Sequence, residues 1–268
     1  MTTPDYAQPA AKLANGSMPL LGFGTWQIED SDAPAATEFA LEAGYRHIDT
    51  ATGYGNEAGI GKALAAAALP RESLFITTKL PPDHGGRERE TLEASLSKLG
   101  LERVDLWLVH WPPNGEATPA VWEQVIKAQS DRLATSIGVS NYSLAQIDEL
   151  VEATGVTPAV NQIKWGPSIY DPSIASGLAE RGVVLEGYSP FKASNLDDPT
   201  LVSIAERYDA TAAQVIVAWH VAHGFVVIPK SVRRERIEAN AAGARLELTD
   251  AEVAAIDGLS DVAGIGGA

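Results

Sequence analysis

Short apolar segments that end in a polar or charged residue recur along the chain. Three consecutive ones end in Asp49, Lys79 and His110, and the later ones end in Ser140-Asn141, Gln162, Tyr188-Ser189 and Lys230-Ser231. A buried strand has little use for such side chains unless they do chemistry. The carboxyl ends of the strands in a β/α barrel share one mouth, where active sites of this architecture lie. The pattern therefore predicts a barrel with one polar site at that mouth.

The order of the predicted elements favours the same fold. Strands are expected at 20–25, 45–49, 74–79, 104–109, 135–139, 159–163, 183–188 and 226–229, and helices at 35–43, 57–68, 87–99, 121–129, 144–153, 172–181 and 199–219. Strict alternation indicates a parallel sheet. We predict one (β/α)8 TIM barrel domain over 1–268, because a barrel of this kind needs about 250 residues.

Local signals refine this prediction. Asn15-Gly16 between two short extended runs predicts an N-terminal β-hairpin. Ser143 and Thr211 are candidate helix N-caps. A doubly wound sheet is the alternative fold, but no G-x-G-x-x-G sequence follows the first predicted strand.

Composition narrows the classes of partner. The chain has no cysteine, which fits a reducing cytoplasm and excludes thiolate chemistry. Met1–Gln8 lacks the features of a signal peptide, and the apolar stretch at 215–228 is too short to span a membrane. A net charge of −15 disfavours nucleic acid and anionic membranes as partners. An anionic ligand would need the local basic cluster at 230–236, where a helix is expected to begin.

Four residues form a plausible proton-transfer group. Asp49 would keep Lys79 charged, and Lys79 would lower the pKa of Tyr54 from about 10. Tyr54 could then act as a proton donor near neutral pH, with His110 orienting a substrate oxygen. No metal site is predicted, because His47, His84, His220 and His223 show no H-E-x-x-H spacing.

At these positions the chain resembles the aldo-keto reductase family, and most closely its microbial members typified by 2,5-diketo-gluconate reductases. The matching segments span roughly residues 12 to 260 in family order and include 21–26, 44–51, 54–57, 78–80, 104–112, 137–141, 161–162, 187–190 and 228–240.

The resemblance implies a role for each matching residue. It makes Tyr54 the general acid, Lys79 and Asp49 its tuning pair, and His110 the substrate-orienting group. It implies NADPH/NADP+ as cofactor and a small-molecule aldehyde or ketone as substrate, for a cytoplasmic monomer. It also implies that the cofactor is held by Ser140, Asn141, Gln162, Tyr188, Ser189, Lys230, Ser231, Arg236 and Asn240, and that the substrate pocket is lined by Trp26, Gly53 and Trp111.

Departures from the family pattern affect the expected pocket. Lys164-Trp165-Gly166 replaces the acidic residue and histidine that usually follow Gln162-Ile163, and Gly53 is smaller than the usual apolar residue. The chain stops soon after Leu259, which suggests a pocket open on that side.

Three rival functions stay open: a channel-associated, cofactor-binding regulator, a metal-dependent barrel isomerase or lyase, and a purely structural barrel.

Overall fold

An antiparallel hairpin precedes the barrel, as predicted from Asn15-Gly16. The computed structural model describes residues 9–260. The segments Met1–Gln8 and 264–268 lie outside the described residues. β1 (Ala10–Leu13) pairs with β2 (Gly16–Pro19), and Leu13 is opposite Gly16. The two-residue turn is thus Ala14-Asn15, one position earlier than the Asn-Gly pair.

Eight parallel strands form the barrel, and all eight were predicted. They are β3 (Gly22–Gly24), β4 (His47–Asp49), β5 (Phe75–Leu80), β6 (Val104–Val109), β7 (Ala134–Ser140), β8 (Val160–Lys164), β9 (Val184–Tyr188) and β10 (Val226–Val227). The first and last strands meet, because Leu21 bridges to Val227 in parallel and the Gly24 amide donates to the Pro229 carbonyl at 3.2 Å. The doubly wound alternative is therefore wrong.

Helices cover the outside of the barrel. They are α1 (Ala33–Glu42), α2 (Glu57–Ala66), α3 (Glu88–Leu99), α4 (Pro119–Ser130), α5 (Leu144–Thr154), α6 (Pro172–Glu180), α7 (Pro199–Arg207), α8 (Ala212–Ala222), α9 (Arg234–Gly243) and α10 (Asp250–Asp257). In the described part of the chain, no helix is both long and apolar enough to cross a membrane.

One predicted helix is wrong in its extent. The expected helix at 199–219 is two helices, because Asp209 has a left-handed backbone with φ 49°. The Thr211 hydroxyl then caps a new helix by accepting a hydrogen bond from the Gln214 backbone amide, and the Gln214 side-chain oxygen accepts one from the Thr211 backbone amide. The same reciprocal arrangement confirms Ser143 as the N-cap of α5.

The barrel interior changes from apolar to polar along its axis. The hairpin end is filled by an apolar cluster that contains Leu13, Met18, Leu20, Phe75, Leu106, Leu108, Val160 and Val226. Above it, toward the carboxyl ends of the strands, lie buried polar side chains that include His47, Asp49, Thr77, Lys79, Gln162 and Glu186. The apolar plug and the outer helices thus enclose a polar layer that opens only toward the mouth.

Candidate active site

Four side chains from three neighbouring strands and one loop meet at the mouth. Asp49 ends β4 and Lys79 lies in β5, while Tyr54 is in the 3₁₀ turn Thr52–Tyr54 and His110 directly follows β6. The Lys79 ammonium donates to Asp49 Oδ1 at 2.6 Å and to the Tyr54 hydroxyl at 3.4 Å. The Tyr54 hydroxyl lies 3.5 Å from His110 Nε2. The four residues predicted as a group are therefore linked by successive contacts from Asp49 to His110, and we call them the tetrad.

The charges of the tetrad are fixed by burial and pairing. Burial by itself would lower the pKa of Lys79, but Asp49 and Tyr54 raise it well above its ordinary value. Burial raises the pKa of Asp49, against the opposing charge of Lys79. Because both Asp49 oxygens accept hydrogen bonds, one from Lys79 and the other from Gln162 Nε2 at 2.8 Å, the ionised pair is well solvated by the protein.

The expected direction of the Tyr54 pKa is wrong. Burial raises the pKa of Tyr54, and the negative charge of Asp49 raises it further, with a smaller contribution from Glu186 of β9 when that carboxyl is ionised. Lys79 only partly offsets these effects. The expected lowering of the pKa rested on the charge of the Lys79 ammonium alone and left out the loss of water around the phenol. Tyr54 is consequently a neutral phenol over the physiological range, which is the form that donates a proton.

His110 is a neutral imidazole at the same place. Burial, followed by the nearby charge of Lys79, lowers its pKa to about 3. Its ring packs edge-on against the Tyr54 ring with the centroids 5.5 Å apart. A neutral imidazole beside a neutral phenol offers hydrogen bonds to an oxygen without competing for the proton.

Amide and hydroxyl groups on the next strands form a connected wall. Asn141 Nδ2 donates to the His110 carbonyl at 3.1 Å, and the Tyr188 hydroxyl donates to Asn141 Oδ1 at 2.9 Å. Ser140 Oγ donates to the Gln162 carbonyl at 2.8 Å. Gln162 is buried, and its amide nitrogen is directed inward to Asp49. Gln162 therefore contacts the tetrad directly, which the sequence did not indicate.

Backbone strain is concentrated at this mouth. Gln27, Asn141 and Ser189 have φ values of 61°, 64° and 53°, in the left-handed region that non-glycine residues rarely adopt. Asn141 and Ser189 directly follow β7 and β9, and Gln27 lies in the loop that follows β3. Strained residues of this kind tend to cluster at functional sites, where the surrounding structure holds them in place.

Aromatic side chains form the rim. Trp26 and Trp111 are exposed to 47% and 48%, which is unusual for residues of this size. The Lys192 ammonium, on the loop after β9, lies 5.0 Å from the centre of the Trp26 ring. A Cβ on Gly53 would meet no atom within 4 Å, so the pocket is open beside Tyr54.

The basic cluster lies at the start of α9, as predicted. Arg233 is the N-cap of this helix and makes no side-chain capping bond. Arg234 is engaged by Glu42 and Glu238, both at 2.9 Å. Among residues 9–260, by contrast, Lys230, Arg233 and Arg236 form no ion pair within 4.0 Å. Free cations at a helix N-terminus fit a phosphate. Ser231 and Asn240, the other two predicted residues of this region, are buried.

A second buried acid, which was not among the predicted site residues, lies near the tetrad. Glu186 of β9 lies with its carboxyl 3.7 Å from His47 Nε2 and within 4.8 Å of an Asp49 oxygen. His47, Asp49 and Glu186 are side chains of metal-ligating types. Each Asp49 oxygen already accepts a hydrogen bond, one from Lys79 and one from Gln162, and the Lys79 ammonium supplies a cation beside this group.

A separate depression lies elsewhere on the barrel. It is at the hairpin end of the barrel, against β1, β2 and the start of α10, and is lined by Leu13, Ser17, Arg46 and Leu248 among others. It contains none of the tetrad. The tetrad with its perturbed pKa values lies at the opposite end together with the left-handed residues Gln27, Asn141 and Ser189, and these features decide the location of the candidate active site.

Comparison with known proteins agrees with this geometry. The model of the Aldo/keto reductase family matches residues 13–261. The chain belongs to the aldo/keto reductase family. An aldo-keto reductase of Mycolicibacterium vanbaalenii is 41% identical over 251 residues, which cover 92% of this chain and 90% of that protein.

Two further family members inform the chemistry. The methylglyoxal reductase DkgA of Salmonella typhimurium is 42% identical over 234 residues, covering 85% of each chain. The crystal structure of a Bombyx mori aldo-keto reductase in complex with NADP has a TM-score of 0.87 and 32% identity, covering 94% of this chain and 93% of that one. The fold and family predicted from the sequence are confirmed.

Proposed function

We propose that this protein is an NADPH-dependent reductase of small aldehydes and ketones, in which Tyr54 donates the proton. The observation that carries the proposal is the Tyr54 hydroxyl, which lies 3.4 Å from the Lys79 ammonium and 3.5 Å from His110 Nε2. A carbonyl oxygen placed against Tyr54 and neutral His110 would receive two hydrogen bonds. As negative charge develops on this oxygen, Tyr54 gives up its proton and Lys79 stabilises the phenolate that remains.

The mouth of the barrel fits a dinucleotide phosphate. Lys230, Arg233 and Arg236 are cations without an ion-pair partner in the described chain, on a protein whose net charge is −15. We assign the 2′-phosphate to Lys230 and Arg236, with Ser189, Ser231 and Asn240 at the rest of the adenosine end. NADP is the cofactor named for the Bombyx mori relative.

The wall beside the tetrad fits the nicotinamide end. The ring of Tyr188 is part-buried and fixed by its hydrogen bond to Asn141, so it offers a stacking surface next to His110. Ser140, Asn141 and Gln162 Oε1 would hold the carboxamide. The cofactor supplies the hydride, and these residues orient it toward the carbonyl carbon.

The rim suggests the size of the substrate. Trp26 and Trp111 flank an opening that Gly53 leaves wide, which suits small carbonyl compounds with both polar and apolar parts. Methylglyoxal, named for the Salmonella relative, is a sensible first substrate. We also propose that the protein is a cytoplasmic monomer; light scattering after size-exclusion chromatography tests the oligomeric state.

A panel of aldehydes and ketones with NADPH tests the function. Oxidation of NADPH, followed by its absorbance, should depend on both the carbonyl compound and the enzyme. Turnover separates this proposal from a cofactor-binding regulator, which would bind NADPH without consuming it. Retention of full activity after treatment with a chelator would argue against a metal-dependent isomerase or lyase.

A further inference from the structure

A carboxyl group that the proposed reaction does not use lies inside the barrel beneath the tetrad. Glu186 is completely buried on β9. The next residue, Gly187, faces the outer helices, because a Cβ there would lie 3.2 Å from His220 Nε2 on α8. Side chains alternate along a strand, so the Glu186 carboxyl points into the barrel.

The surroundings of Glu186 contain few compensating groups. In register beside it are Gln162 on β8 and Val226 on β10. The titratable groups that face it are His47 and Asp49 from β4, Lys79 from β5 and, above them, Tyr54. Lys79 is the one cation among these, and its ammonium is 2.6 Å from Asp49.

Neither oxygen of Glu186 has a hydrogen-bond partner among the described residues. The Gln162 amide is near, but it donates to Asp49 Oδ2. His47 supplies no charge, because burial and Lys79 lower its pKa to about 3. Burial, followed by the charge of Asp49, raises the pKa of Glu186 to about 8, while the neighbouring Gln162 amide and the charge of Lys79 lower it only in part. Complete burial without a hydrogen-bond partner thus favours the neutral carboxylic acid at this position.

We propose that Glu186 is a positioning residue for the proton transfer: its neutral form leaves Asp49 and Lys79 as the balanced charges under Tyr54, and its ionised form opposes phenolate formation. The proposal rests on the proposed role of Tyr54 as the acid. Physically, a second carboxylate beside one ammonium leaves a net negative charge under the phenol. That charge raises the pKa of Tyr54 and slows donation of its proton.

The first experiment measures protonation without using activity. A carboxyl whose pKa is higher in the folded state stabilises the fold fully below the unfolded pKa of about 4.3, and the stabilisation is lost as pH rises to the folded pKa. Glu186→Gln keeps the shape and removes the titration. The equilibrium constant of unfolding of the wild type, relative to this variant, should therefore increase nearly tenfold per pH unit between about pH 5 and 7.5.

A matched control removes another buried carboxylate. Glu57 accepts a hydrogen bond from Thr78 at 2.7 Å and lies 3.8 Å from Lys98, on the outer side of β5. The equilibrium constant of unfolding of the wild type, taken relative to Glu57→Gln, should show no comparable increase with pH. The infrared band of a protonated carboxyl in the wild type, present at about pH 6.5 and lost above about pH 9, gives a second readout that needs no variant.

The second experiment measures the coupling to Tyr54. Single-turnover reduction by NADPH is followed from pH 6 to pH 9.5 in the wild type, Glu186→Gln and Glu57→Gln. The rate ratio of Glu186→Gln to wild type should be about 1 at pH 6 and should rise to roughly 3 or more at pH 9.5, because the ionised Glu186 of the wild type opposes phenolate formation and the neutral glutamine does not. Glu57→Gln should keep the pH profile of the wild type.

The outcomes separate this proposal from the proposed function. A pH-independent unfolding ratio, or a wild-type spectrum without the protonated band, overturns the buried acid. A pH-dependent unfolding ratio together with parallel rate profiles overturns the coupling to Tyr54. A wild type that does not reduce any carbonyl compound, with the unfolding ratio still pH-dependent, refutes the proposed function while supporting a neutral Glu186.

Discussion

Arg236→Ala tests whether the basic cluster recognises the phosphate that distinguishes NADPH from NADH. Arg236 is exposed, and within residues 9–260 it forms no ion pair, so it can meet a ligand without breaking a contact. A hydrogen bond to a charged group contributes about 1.5–3 kcal/mol, which corresponds to roughly a 10- to 150-fold change in affinity. Because the site is open to solvent, we expect Arg236→Ala to weaken NADPH binding by a factor in the lower part of this range.

The chain offers a matched control for this variant. Arg234 lies two residues away with the same charge, but it is held by Glu42 and Glu238 and packs over the Phe39 ring at 5.1 Å. Arg234→Ala should therefore change NADPH affinity much less than Arg236→Ala does. Dissociation constants for both cofactors, measured by quenching of protein fluorescence, give the comparison.

The reasoning about Arg236 is refuted if its loss weakens NADPH and NADH binding equally. That result would mean that the side chain supports the loop and does not recognise the 2′-phosphate. Added salt should also narrow the preference of the wild type for NADPH, because exposed charges are screened.

Three further variants test other parts of the account. Lys79→Met should slow reduction and change its pH profile. It should also lower the stability of the fold, because it leaves Asp49 buried without its partner. An unchanged pH profile would argue against tyrosine activation by Lys79. Tyr188→Ala should weaken cofactor binding roughly 2- to 13-fold, the equivalent of one aromatic contact of about 0.5–1.5 kcal/mol. Tyr188→Phe keeps the ring and should retain most of the affinity. Equal losses of affinity in both variants would contradict a stacking role. Thr211→Ala should cost about 1 kcal/mol in urea unfolding through loss of the N-cap of α8; no change would show that the cap is dispensable.

Much of the architecture could be predicted because local and global signals agree. Each strand is a short apolar run with a polar residue at its carboxyl end, and in a parallel barrel those ends meet by topology alone. This is why Asp49, Lys79 and His110 could be grouped before any distance was known. The hairpin and the N-cap at Ser143 follow from local chemistry, which depends on a few neighbouring residues.

The misses came from properties that depend on the whole fold. The break at Asp209 needs a left-handed non-glycine residue, a conformation that aspartate adopts more readily than most residues but that the neighbouring sequence does not dictate, although the candidate N-cap at Thr211 already indicated a new helix start. The pKa of Tyr54 depends on how much water the folded chain removes. Glu186 had a sequence signal, a lone acid within an apolar strand, but only the barrel shows that it faces Asp49.

The most direct test of the central claim is the rate of the chemical step in Tyr54→Phe. The variant removes one hydroxyl, which contacts only Lys79 and His110 among the described side chains, so the fold and NADPH affinity should be preserved. General acid catalysis contributes roughly 10²–10⁴-fold, and the single-turnover rate of carbonyl reduction should fall by at least about 10²-fold. A near-wild-type rate, in a step that a hydride isotope effect identifies as chemical, would contradict Tyr54 as the proton donor.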